Sequence, residues 1–178
     1  MWQKLSKCYP PLFELIPLLL LVFTVYLALS NYAALPDTIP THFNARGIAD
    51  DWGSKSTLLV ILGLAAFLYI LFTLLNFYLA IARDPRALIN LPAKWKAALS
   101  ETQIEKLRLT LNRYLFLLKV LMQGLFAYIV YITVEIAEER ADSLGGPFSI
   151  VMLAILIVVG LMLWQAFQIA RPRKPGLA

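Results

Sequence analysis

The residue types best suited to chemistry lie in one polar segment of the chain, residues 35–55. Within fourteen positions this segment holds an imidazole, an amide, two carboxylates and an ammonium group: His42, Asn44, Asp50, Asp51 and Lys55. An imidazole beside a carboxylate can transfer protons as a general acid or base, and the same pair can bind a metal ion. We therefore take His42, Asp50 and Asp51 as the candidate catalytic residues.

Three interpretations of these side chains stay open. A metal site would need two carboxylates besides His42, because the chain contains one histidine and one cysteine, the distant Cys8. Acid–base catalysis would need an aspartate that orients His42. In the third interpretation the polar side chains hydrogen-bond the segment's own backbone. We expect no metal and no cofactor. A ligand of this segment would be bound by His42, Asn44, Gly47, Asp51 and Lys55.

The composition of the chain places this segment in a membrane protein. Of the 178 residues, 60% are hydrophobic and 15% are charged, and the mean hydropathy of +0.72 excludes an ordinary soluble domain. Apolar runs of about twenty residues are long enough to cross ~30 Å of hydrocarbon as helices. Four runs qualify: Leu12–Ser30, Thr57–Ala82, Tyr114–Val134 and Phe148–Ala170. We predict an all-α integral membrane protein with four transmembrane helices in a single domain, residues 1–178.

The distribution of basic residues predicts the orientation of these helices. Twelve Lys and Arg residues lie before the first run, between the second and third, and after the fourth, whereas three lie in the other two loops. Positive charge is enriched on the cytoplasmic side of membrane proteins. We therefore expect both termini in the cytoplasm, the polar segment on the outer side of the membrane, and membrane lipids rather than nucleic acid as partners.

Local signals give structure to the two longer connections. Asn44 and Gly47 have the types and spacing of a turn, so residues 41–43 and 48–49 can pair as a short β-hairpin. Either Asp51 or Ser54 would then cap the second span. Residues 83–113 form a basic cytoplasmic connector with an interfacial helix. In it, Ser100 and Gln103 have the spacing of a capping box, which indicates that the third helix begins well before its apolar run.

Two ionisable residues fall inside the predicted spans. Glu14 lies about one turn into the first span and Lys119 lies six residues beyond Arg113 in the third, so antiparallel helices bring them to a similar depth. Ionisable groups in hydrocarbon normally pair or line a hydrated cavity. We predict a Glu14–Lys119 contact, which acts either as an interhelical lock or as part of a polar pocket. Three uncharged polar side chains are expected near the same depth: Asn76, Gln123 and Gln165.

The run from Leu35 to Lys55, LPDTIPTHFNARGIADDWGSK, resembles the signature of the bacterial domain of unknown function 1648, and the likeness covers residues 12–75. Its matching positions are Leu35, Pro36, Ile39, Pro40, His42, Asn44, Gly47, Asp51 and Lys55. That domain forms the N-terminal part of SdpI-type membrane immunity proteins, which protect cells from a secreted peptide toxin. The resemblance implies a helix–loop–helix membrane module with an outward-facing loop, located in a bacterial inner membrane.

Three functions are compatible with these observations, and the sequence favours a non-enzymatic one. The first is an SdpI-like protein that senses or neutralises an envelope-active peptide through its outer loop. The second is a membrane-embedded enzyme acting on lipid or envelope precursors with His42 and Asp50 or Asp51. The third is a small oligomeric transporter that uses Glu14 and Lys119. A peptide or another membrane protein is the expected partner, and an oligomer is compatible with each function.

Overall fold

A computed structural model describes residues 6–82, 84, 86 and 92–171 of the chain. In these ranges it contains a turn of 3₁₀ helix at Pro11–Glu14, five α-helices and one β-hairpin. In chain order the elements are α1 (Leu15–Tyr32), β1 (Thr38–Phe43), β2 (Ala49–Ser54), α2 (Thr57–Ile81), α3 (Ala93–Ala98), α4 (Glu101–Ala137) and α5 (Gly145–Ala170).

Within this described part, four helices are long and apolar enough to cross a membrane, as predicted. They are α1 with its preceding turn, α2, α4 and α5. In the most apolar stretch of α4, 44% of the residues are buried, whereas 11–17% are buried in the corresponding stretches of the other three helices. The helices α1, α2 and α5 all pack on α4, and α1 also packs on α2. The bundle is therefore arranged around α4 and exposes most of the other three helices to their surroundings.

The early start predicted for the third span is confirmed. The Ser100 Oγ accepts a hydrogen bond from the Gln103 backbone N–H at 3.3 Å, and the Gln103 Oε1 accepts one from the Ser100 N–H at 3.0 Å. This capping box begins a helix of 37 residues, which at ~1.5 Å per residue is longer than the hydrocarbon is thick. Its first turns pack against the end of α5, where Leu107 and Ala170 are buried together.

The predicted hairpin is present and longer than expected. Strands β1 and β2 are antiparallel, with Thr38 opposite Ser54 and Phe43 opposite Ala49. Two strands alone are marginally stable. Ile39 of β1 is completely buried in an apolar cluster with residues of α1, α2 and α4, so the bundle stabilises the hairpin.

The turn of the hairpin is joined to the connection between α4 and α5. The Leu144 N–H donates to the Gly47 carbonyl at 2.8 Å, and Ile48 pairs with Ser143 as an isolated β-bridge. Gly47 has φ +75, and a Cβ there would lie 3.2 Å from the Leu144 Cβ. This position therefore requires glycine both for its backbone conformation and for the close approach.

The predicted cap of the second span is wrong. Ser56 is the N-cap residue of α2 and no side chain bonds the first helical turn. Asp51 lies in β2 and its carboxylate accepts from the Trp52 N–H instead, while the Ser54 Oγ accepts from the N–H of Ser56 itself. The hairpin continues to Ser54, which places both residues too early to reach the helix.

Part of the predicted basic connector, residues 83, 85 and 87–91, lies outside the described residues. Within the remainder, α3 is a short helix that packs near the end of α5 through Trp95. Below, "hairpin end" denotes the end of the bundle with β1, β2 and residues 138–144. "Termini end" denotes the end with residues 6–14, Glu101 and Ala170.

Candidate functional site

A groove of about 690 Å³ lies at the hairpin end and is open on one side. One face of each surrounding helix contributes to it at helical spacing: Thr57, Ile61 and Leu64 from α2, and Phe126, Ile129 and Thr133 from α4. Residues 144–146, 148 and 149 at the start of α5 and residues 40–47 of the hairpin complete it. We call this the hairpin groove. Its volume lies in the range of about 300–1,000 Å³ typical of small-molecule sites.

His42 lines the hairpin groove and is paired with a carboxylate. Its Nδ1 lies 2.6 Å from the Asp50 Oδ1, and 67% of the His42 side chain is exposed. The ladder register places Asp51 opposite His42, but it is irregular on both sides of His42, and the side chain that reaches the imidazole belongs to Asp50. Of the two candidate aspartates, Asp50 is therefore the one positioned to orient His42.

The other members of the predicted binding set serve different purposes. The Asn44 Oδ1 accepts from the N–H groups of Arg46 and Ile48 and so closes the hairpin turn. The Lys55 ammonium donates to the Leu35 carbonyl at 3.2 Å and lies 3.2 Å from the Asp37 carboxylate. The structure thus brings three of the five to the groove, namely His42, Asn44 and Gly47, whereas Asp51 and Lys55 lie elsewhere on the hairpin.

Some residues of the groove were not anticipated from the sequence. These are Arg46, Thr133, Gly145 and Gly146. Their convergence depends on the pairing of the hairpin turn with the α4–α5 connection. The helical spacing of Phe126, Ile129 and Thr133 is a local signal in the sequence that these three residues lie on the same face of their helix.

No three histidine, cysteine, aspartate or glutamate side chains form a cluster able to hold a metal ion in the part of the chain that the structure describes. His42 and Asp50 together supply two ligands, and a catalytic zinc site commonly uses three. The chemistry that this pair can perform by itself is proton transfer, with Asp50 orienting the imidazole.

The structure brings Glu14 and Lys119 into contact at the termini end of the bundle. The Lys119 Nζ donates to the Glu14 Oε2 at 2.5 Å and to the Thr73 Oγ1 at 3.3 Å, and Lys119 is completely buried. The Tyr9 hydroxyl donates to the other Glu14 oxygen at 2.5 Å. Burial and this hydrogen bond raise the pKa of the Tyr9 hydroxyl, which keeps it protonated as a donor. The pair connects the N-terminal segment to α4.

Two buried amides extend the polar groups along the interface of α2 and α4. The Asn76 Nδ2 donates to the backbone and side-chain oxygens of Asn112, and the Gln123 Nε2 donates to the Ala65 carbonyl. Gln165 is separate, in a shallow pocket between α4 and α5. On α4, Gln123 lies about one helical turn from Phe126, which lines the groove.

Comparison with known proteins places the polar segment in a family. The family model for the domain of unknown function DUF1648 matches residues 19–67. An uncharacterized protein of Archaeoglobus fulgidus is 34% identical over 134 residues, which cover 74% of this chain and 70% of that protein. The chain belongs to the DUF1648 family. No solved structure matches it.

The DUF1648 match confirms the predicted resemblance and maps onto a distinct part of the site. It comprises most of α1, the whole hairpin and the first part of α2. The His42–Asp50 pair and one wall of the hairpin groove therefore come from the DUF1648 segment. The other two walls, from α4 and the start of α5, lie beyond it.

We predict that Glu14→Gln destabilises the protein by about 3–5 kcal/mol, because it leaves a buried ammonium without its counter-charge. Lys119→Met should cost less, since Glu14 is partly exposed and keeps the Tyr9 hydroxyl. The double variant should be more stable than Glu14→Gln alone. Unfolding in mixed detergent micelles, followed by tryptophan fluorescence, measures all three.

The control for this prediction is Asp37→Asn, which breaks a Lys–carboxylate pair at the surface. The Asp37 side chain is 97% exposed, so its loss should cost less than about 1 kcal/mol. Equal losses for Glu14→Gln and Asp37→Asn would contradict the buried, uncompensated charge as the cause.

Proposed function

We propose that the protein is a non-enzymatic, SdpI-like membrane protein that senses or neutralises an envelope-active peptide by binding it in the hairpin groove. The observation that carries this proposal is the composition of the groove. It has apolar walls from three helices and a polar rim from the hairpin turn. Ligand sites of this kind use apolar surface for affinity and a few polar groups for orientation.

An envelope-active peptide has the properties that this groove requires. It partitions into a membrane through apolar side chains while its polar groups stay near the headgroups. The side chains of Ile61, Leu64 and Phe126 provide the apolar surface, and the exposed polar side chains of the hairpin lie at the mouth.

The proposal includes an orientation, with the hairpin end outside a bacterial inner membrane and both termini in the cytoplasm. The charge distribution supports it, since twelve of the fifteen Lys and Arg residues outside the predicted spans lie in sequence before the first span, between the second and third, or after the fourth. A peptide in the envelope then meets the groove directly. The archaeal relative indicates that the family is not confined to bacteria.

The orientation predicts the labelling of single cysteines in intact cells. In a Cys8→Ser background, Asp37→Cys should react with a membrane-impermeant maleimide, because Asp37 is exposed at the hairpin end. A cysteine at Glu101, which is exposed at the start of α4, should react only after the membrane is opened. The reverse pattern would overturn the orientation.

For the groove, we predict that expression of the protein lowers the sensitivity of a host strain to at least one peptide in a panel of membrane-active peptides. Leu64→Trp should abolish this protection, because the larger side chain fills the groove from α2. Growth inhibition against the panel is the measurement.

Leu74→Trp is the matched control, since Leu74 is an exposed leucine of the same helix that does not line the groove. It should keep the protection. Unchanged sensitivity to every peptide, or equal effects of both tryptophan variants, would count against the groove as the binding site.

One observation favours a second candidate function, an enzyme acting on lipid or envelope precursors. His42 lines a groove that can admit such a substrate and is paired with Asp50, and an imidazole oriented by a carboxylate is the arrangement of a general base.

The two functions are separated by variants of the pair. If the protein is an enzyme, His42→Gln and Asp50→Asn should both remove turnover of envelope lipids, measured by mass spectrometry of membranes from expressing cells. If it only binds, neither variant should change the lipid profile, and Asp50→Asn should retain protection. If a lipid product is present with the original protein and absent with both variants, the protein is an enzyme and the proposed peptide-binding function is wrong.

A further inference from the structure

We propose that the hairpin groove contains an anion subsite, formed by Arg46, Gly145, Gly146 and Thr133, which binds the C-terminal carboxylate of an apolar peptide segment. This inference rests on the proposed function, because it specifies how the groove recognises its peptide. It concerns residues that are separate from the His42–Asp50 pair.

The charge of the groove is the first argument. Its charged or titratable lining residues are Arg46 and His42, and no aspartate or glutamate lines it. The Arg46 guanidinium makes no ion pair and no hydrogen bond to any residue in the described ranges. Arg46 is exposed at the hairpin turn, so its five donors are available to a ligand in the groove. Its planar fork matches the two oxygens of a carboxylate.

The start of α5 supplies two further donors. Four N–H groups at the beginning of a helix lack intrahelical acceptors. The Leu144 N–H donates to Gly47, and Pro147 has no N–H, which leaves the N–H groups of Gly145 and Gly146. No side chain caps this helix, and neither N–H has an acceptor among the residues described. Both glycines line the groove at the positive end of the helix dipole.

Thr133 provides an independent indication of a ligand. It lines the groove from α4, is 1% exposed, and its hydroxyl makes no hydrogen bond within the described part of the chain. Two other threonines of the spans behave differently: the buried Thr24 donates to the Leu20 carbonyl and the half-buried Thr73 to the Tyr69 carbonyl, both at 2.7 Å. Because Thr133 lines the groove, a ligand bound there can supply the hydrogen-bond partner that the protein does not.

The remaining lining favours a peptide terminus over a lipid. Hydroxyl groups of Thr41, Thr57 and Ser149 are distributed among the apolar side chains. They can bond the amides of a peptide, whereas an acyl chain has no polar group to meet them. A groove of about 690 Å³ also suits a few residues rather than a two-chain phospholipid. Capture of a terminal carboxylate by backbone N–H groups is an established mode of peptide recognition.

The test compares two probes that differ only in the anion. A dansyl-labelled tetrapeptide of leucine and phenylalanine is prepared with a free C-terminal carboxylate and with a C-terminal amide. Each is titrated into the full-length protein in phosphatidylcholine nanodiscs and followed by fluorescence anisotropy. The free acid should bind at least about tenfold more tightly than the amide, since hydrogen bonds to a charged acceptor are roughly twice as strong as those to a neutral one.

Variants assign this preference to the subsite. Arg46→Gln and Thr133→Val should each reduce the acid-to-amide ratio, and Arg46→Lys should retain part of it. Thr133→Val should not lower the thermal stability of the empty protein, because the hydroxyl that it removes has no partner. Arg140→Gln is the control, since Arg140 is an exposed cation at the same end, outside the groove. It should leave the ratio unchanged.

The outcomes separate this inference from the proposed function. If acid and amide bind equally and Leu64→Trp abolishes both, the groove binds peptides and the anion subsite is wrong. If neither probe binds, both proposals fail. If lysophosphatidylglycerol binds with the same dependence on Arg46 and Thr133 while the acid shows no advantage, the subsite serves a lipid phosphate and the inference is overturned.

Discussion

The packing of three helices on α4 is the interaction on which the rest of this structure depends. Each of α1, α2 and α5 places one face against α4, and lipid would cover the remainder. Because α2 and α5 pack on α4 much more than on each other, a gap remains between them. The hairpin closes the end of this gap. The hairpin groove is thus a consequence of having a single central helix in a bundle of four spans.

Polar groups determine how the helices are positioned around α4. Apolar surfaces give little directional preference between helices in hydrocarbon, whereas hydrogen bonds between them are specific. Lys119, Asn112 and Gln123 of α4 each bond to a different point of the neighbouring elements. These contacts define the axial register of α2 and of the N-terminal segment relative to α4. The register then decides that Thr57, Ile61 and Leu64 lie opposite Phe126, Ile129 and Thr133 at the groove.

The parts of the fold that could be predicted from the sequence are those set by local physics. Hydropathy and length define the spans, the Ser100–Gln103 spacing defines the start of α4, and Asn44 with Gly47 defines the hairpin turn. The Glu14–Lys119 contact followed from depth alone, since a buried ammonium has few other partners. The prediction that Asp51 or Ser54 caps α2 was wrong, because the length of a hairpin depends on tertiary packing. Here that packing is the burial of Ile39.

The composition of the site could not be predicted in the same way, because it depends on residues distant in sequence. Arg46 and Gly145 are neighbours only through the pairing of Gly47 with Leu144. Thr133 differs from Thr24 and Thr73 in that its hydroxyl donates no hydrogen bond to a backbone carbonyl. This difference cannot be recognised from the sequence. The DUF1648 segment supplies the hairpin and one wall, while the α4 and α5 walls lie outside the matched residues. A relative that shares this segment alone would therefore keep the His42–Asp50 geometry and could bind a different ligand, because Thr133, Gly145 and Gly146 belong to the other walls.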